Sequence, residues 1–138
     1  MSQTAKPAGP HVRVMRSQLG LVRGLGAARS GTEHWRAERL TSVALVPLTL
    51  WFIYAALHLS GLPRAAVAHW AGNPINTALL VALVVITFRH LQLGLQAVIE
   101  DYVHGERTKT VSLLLLRGAA GLAALIGVLA ALKLAFSG

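Results

Sequence analysis

Between Gly118 and Leu132 the chain carries no charged residue, so a helix through this stretch is apolar on every side. That feature limits the fold more than any other. A helix without a polar face belongs in a large protein core or in a bilayer, and a soluble bundle of 138 residues would need polar faces on its helices. Two further apolar runs precede it, at about residues 40–62 and 74–103, and the third extends over about 109–136. Roughly 20 apolar residues, rising about 1.5 Å each, cross the hydrocarbon of a bilayer, and all three runs are long enough. The chain is 54% hydrophobic, which agrees with burial in lipid. The expected fold is an all-α membrane protein of three transmembrane helices.

Local signals refine these runs. Asn73 is an N-cap candidate and Pro74 suits a first helical turn. Pro47 falls inside the first run, which membrane helices tolerate. Gly118, Ala119, Gly121, Ala124 and Gly127 are small residues that allow another helix to approach closely. Residues 1–30 are rich in Gly, Ser and Arg, and Pro7, Gly9 and Pro10 interrupt any pattern, so they read as a basic, partly disordered tail ahead of an anchor domain at 31–138.

Charge sets the expected orientation. Seven of the thirteen Lys and Arg residues are Lys6, Arg13, Arg16, Arg23, Arg29, Arg36 and Arg39, all ahead of the first run. Arg107 and Lys109 lie between the second and third runs, whereas the first connection has only Arg64. The excess of positive charge places the amino terminus and the second connection in the cytoplasm. A basic tail leading directly into apolar spans reads as a topology signal, not as a nucleic-acid-binding arm. The expected topology is a multi-pass membrane protein with its amino terminus in the cytoplasm.

The chemistry concentrates in the second run. The chain has no cysteine, so thiolate-held clusters, cysteine zinc sites and disulfides are excluded. His90 stands among apolar residues, where an ionisable side chain implies a partner, a cofactor or water. Asp101 lies about 20° from it around a helix and Gly94 about 40°, while Tyr102 is about 18 Å further along the axis. A neutral imidazole with bare surface beside it suits an axial haem ligand, with the sixth iron ligand from another chain or another copy of this one. The competing reading is a histidine bonded to a neighbouring helix. Tyr102 can donate to a quinone carbonyl at the interface, or serve as an ordinary belt aromatic. Arg89 must reach a carboxylate, a propionate or the interface. His58 reads as interfacial, and His11, His34, His69 and His104 as solvated.

The run His90-x-x-x-Gly94 followed by Asp101-Tyr102-Val103 resembles the hydrophobic membrane-anchor subunit of succinate dehydrogenase, respiratory complex II. The entry to the first span, Gly31-Thr32-Glu33-His34-Trp35-Arg36-Ala37-Glu38-Arg39-Leu40-Thr41, is similar to the alphaproteobacterial members, and the likeness extends over about residues 16–136. The resemblance implies a place in the bacterial inner, or cytoplasmic, membrane and a share in the tricarboxylic acid cycle and respiratory electron transport. His90 would be an axial ligand of haem b iron, a haem shared with a second cytochrome b-type anchor subunit. Tyr102 would bind ubiquinone, Asp101 would lie beside that site, and Arg39 would lie near the haem propionates or quinone pocket. An iron–sulfur subunit and a flavoprotein subunit would be the other partners, since this chain alone cannot oxidise succinate. Arg89 departs from the family pattern. The rival function is a small ion- or proton-conducting protein, or an assembly factor, without haem.

Overall fold

In the computed structural model, which describes residues 28–137 with side chains from Gly31 onward, the first apolar run lies in helix α1 (Ala28–Leu59). The helix begins about a dozen residues before the uncharged run, so the charged segment Glu33–Arg39 is helical. Residues 1–27 of the expected tail lie outside the described residues. Pro47 sits within α1, where its missing N–H leaves the Val43 carbonyl without its helical donor. The turn after α1 depends on Gly61, whose φ of +80 is the one positive φ among the described residues. That left-handed conformation suits a residue without Cβ.

An eight-residue helix, α2 (Arg64–Ala71), follows Pro63 and fills the first connection, which the apolar runs alone present as a loop. The N–H groups of Ala66 and Val67 donate to the Pro63 carbonyl at 2.9 and 3.3 Å, and that of Gly72 closes the helix on the Ala68 carbonyl at 2.8 Å. Trp70 of α2 stacks on Trp51 of α1, with ring centroids 5.7 Å apart and planes 22° from parallel. The stack accounts for Trp51, which lies too deep in its span for an interfacial belt.

Helix α3 (Pro74–Tyr102) starts as its sequence requires. Asn73 Oδ1 accepts from the Ile75 N–H at 2.9 Å, and Pro74 occupies the first turn, where its absent N–H is not missed. Thr77 Oγ1 and Asn76 Nδ2 donate to the Ala71 and Trp70 carbonyls, tying α2 to the first turn of α3. A short turn leads into α4 (Glu106–Ala135). There Lys109 Nζ donates to the Glu100 carbonyl at 2.8 Å, satisfying an acceptor near the end of α3.

Helix α3 is central, with α1 packed on one side and α4 on the other. The buried side chains are few and small: Ala55, Ala68, Ala71, Ala120, Ala135 and one large residue, Leu93. Close approach therefore holds the helices together, as membrane bundles do. Leu57 and Leu114 are 72% and 71% exposed, so the large apolar side chains point outward. In water such a surface would drive aggregation; in lipid it is solvated. All three long helices are long and apolar enough to cross a membrane, and the fold is the all-α, three-span arrangement expected.

Candidate functional site

The half-buried ring of His90 is held from the neighbouring span. Its Nδ1 lies 3.0 Å from Thr41 Oγ1 on α1. Thr41 Oγ1 also lies 2.9 Å from the carbonyls of Ala37 and Glu38, one turn back on its own helix. One side of the imidazole is thus committed to α1, and Nε2 has no hydrogen bond among the described residues. One helical turn on from His90, a Cβ built at Gly94 would meet nothing within 4 Å. The bare patch expected from the sequence is open space one turn along the helix from His90.

No three His, Asp or Glu residues gather in a metal-holding cluster among the described residues. A metal held at His90 would take one donor from this chain, with its other donors from a cofactor or another chain. A free Nε2, an anchored Nδ1 and an open Gly94 fit that arrangement.

Asp101 and Tyr102 close α3 and are exposed, Tyr102 by 78%. About 18 Å of helix separates Tyr102 from His90. The two positions therefore form separate places along one helix, not a single pocket. Arg39 is exposed, and its guanidinium carbon lies 5.4 Å from the centroid of the Trp35 ring, a cation–π distance. It stands two residues before Thr41, roughly 160° around α1 from the threonine that meets His90.

Arg89 finds an amide rather than a carboxylate. Its Nη1 donates to Gln92 Oε1 at 3.1 Å, three residues along the same helix. Both residues line a cleft of about 390 Å³ with Gln96, with Glu33 and His34 of α1, and with Arg117 of α4. His34 is not the solvated residue its place near the tail suggests: its Nε2 is buried with no hydrogen-bond partner among the described residues. His58 lies exposed near the end of α1, its ring centroid 4.7 Å from that of Tyr54. Thr41, His34, Gln92 and Gln96 are site residues that the sequence does not single out. For Thr41 and His34 the reason is that spacing along one helix gives no signal for a contact made by another.

Known proteins related to this chain bear on what the site does. A family model for the succinate dehydrogenase/fumarate reductase transmembrane subunit matches residues 7–132. The succinate dehydrogenase hydrophobic membrane anchor subunit of Rickettsia bellii is 33% identical over 64% of this chain and 70% of its own length. The succinate dehydrogenase membrane anchor subunit of Reclinomonas americana is 30% identical over 64% of this chain and 77% of its own. The corresponding protein of Paracoccus denitrificans is 30% identical, with 62% and 67% covered.

Proposed function

The chain belongs to the succinate dehydrogenase/fumarate reductase transmembrane subunit family as a membrane anchor, and from that premise we propose that it supplies one axial ligand of a haem b and part of a ubiquinone site. Membership implies association with the other subunits of the complex. The second axial ligand comes, on this reading, from a second cytochrome b-type anchor subunit. The iron–sulfur and flavoprotein subunits dock on the end that carries Tyr102. That end faces the cytoplasm of a bacterium, because the basic residues flank it.

The observation that carries the haem reading is the state of His90: one ring nitrogen held by Thr41, the other unpaired, and open space at Gly94. A bound haem b would supply a one-electron redox centre between the two anchor subunits. His90 presents the Nε2 lone pair and α1 holds the ring in place. Tyr102 sits at the helix end, where a lipid-soluble quinone enters, and its hydroxyl donates to a quinone carbonyl oxygen. Asp101, one residue earlier, sets the local negative charge. Arg39 lies on the exposed side of α1, where its guanidinium can meet a propionate or the quinone pocket.

A reduced-minus-oxidised optical spectrum of the purified complex tests the ligand reading. A b-type haem signal is expected. Its absence from fully assembled wild-type complex ends the reading and returns His90 to the role of an interhelical polar contact.

A further inference from the structure

We propose that Thr41 is a positioning residue that fixes the tautomer and orientation of His90 and leaves Nε2 free as the ligating nitrogen. The inference rests on the reading of His90 as a haem ligand and extends it to a residue on another helix. A threonine hydroxyl carries one hydrogen and two lone pairs. Three partners surround Thr41 Oγ1: the Ala37 carbonyl at 2.9 Å, the Glu38 carbonyl at 2.9 Å and His90 Nδ1 at 3.0 Å. The two carbonyls can only accept, so one of them takes the hydroxyl hydrogen. Back-bonding of this kind is an ordinary helical conformation of threonine. The oxygen then faces His90 with a lone pair, and Nδ1 must carry the proton. In neutral imidazole that leaves Nε2 bare, the form in which it can bind a metal.

The opposite assignment sends the hydroxyl hydrogen to Nδ1. It leaves both carbonyls without that donor and places a proton on Nε2, where it blocks ligation. The chosen assignment gives the hydroxyl hydrogen one of the two carbonyls and gives the Nδ1 proton an acceptor. It also makes α1 part of the ligand: the packing of α1 on α3 brings in the acceptor that orients the ring. A ligand imidazole donating from its other nitrogen is more basic and favours the oxidised metal. Loss of the acceptor therefore raises the haem midpoint potential.

Full complexes carrying Thr41→Val and Thr41→Ser separate the hydroxyl from the packing. Valine keeps the shape and removes the oxygen; serine keeps the oxygen. Haem content per flavin and midpoint potential are the readouts. Loss of a group that orients a metal ligand weakens metal binding by roughly 10- to 100-fold. Thr41→Val should accordingly lose haem during purification, and the haem that remains should titrate at a higher potential. Thr41→Ser should restore both. Wild-type haem content and potential in Thr41→Val overturn the proposal, as does a serine variant that behaves like valine. Electron–nuclear double resonance of the ¹⁵N-histidine-labelled wild-type complex needs no variant to fold. It should detect a hydrogen-bonded proton on Nδ1 of the ligand, and a Nδ1 without one also overturns the proposal. An assembled wild-type complex without haem defeats the His90 reading itself, whereas normal haem with a silent Thr41→Val defeats only the role of Thr41.

Discussion

Gly127 of α4 approaches α3 so closely that a Cβ added to it would lie 2.7 Å from Val84 Cγ1 and 3.7 Å from Phe88 Cε2. The glycine is the point where α3 and α4 close on each other, and the fit depends on its missing side chain. Gly127→Ala must displace Val84 or part the helices, and overpacking of this kind costs about 1–3 kcal/mol. The detergent-extracted complex should lose its anchor at lower temperature than wild type. Gly121→Ala, where nothing lies within 4 Å, serves as the control. Val84→Ala introduced alongside Gly127→Ala should recover part of the loss. Strict additivity of the two changes would show that the Val84 contact is not the cause.

Gly94 makes the opposite prediction. Nothing among the described residues stands within 4 Å of an added Cβ, so the first carbon of a side chain meets no other helix there. If a flat cofactor lies beside His90, Gly94→Leu occupies its edge. The variant should insert and associate with its partners, yet retain much less haem, measured by pyridine haemochrome per assembled complex. Full haem content in Gly94→Leu would place the cofactor on another side of His90.

The spans, the Asn73 cap and the open ground at Gly94 are legible in the sequence because each is a property of one helix. Period, length and capping residues repeat along a single element and need no knowledge of its neighbours. The partners of His90 and Arg89 are not legible, for two different reasons. Thr41 lies 49 positions from His90 and meets it only because α1 packs on α3. Arg89 takes Gln92, a partner three residues away that spacing alone could have offered, whereas the cost of an arginine in lipid points to carboxylates instead. Helix α2 is hidden because eight residues between Pro63 and Gly72 are too short to display a period. The stacking partner of Trp51 is hidden with it, since Trp70 lies on that helix.

The absence of cysteine makes the orientation directly measurable. A single introduced thiol reports its own position without background from this chain. Thr108→Cys lies in the first turn of α4, beside the Tyr102 end of α3, and Ser60→Cys lies in the turn after α1. In intact cells a membrane-impermeant maleimide should label Ser60→Cys and spare Thr108→Cys. In inverted membrane vesicles the pattern should reverse. The reverse result in both preparations would place the basic end outside and contradict the positive-inside assignment.

Tyr102 offers the sharpest division between the two roles assigned to α3. Its ring is 78% exposed at the end of the helix, so replacing it disturbs no packing within the chain. Tyr102→Phe removes a hydroxyl and keeps the ring. If that hydroxyl donates to a quinone carbonyl, its loss removes one hydrogen bond to the substrate, a net contribution of about 0.5–1.5 kcal/mol. That corresponds to a fall of roughly 2- to 13-fold in kcat/KM for quinone reduction. Succinate oxidation coupled to an artificial acceptor bypasses the quinone and should be retained. So should the haem spectrum, because His90 lies about 18 Å away along the helix. Equal loss of both activities would mean that Tyr102 supports assembly of the complex, and unchanged quinone reduction would leave it an interfacial aromatic.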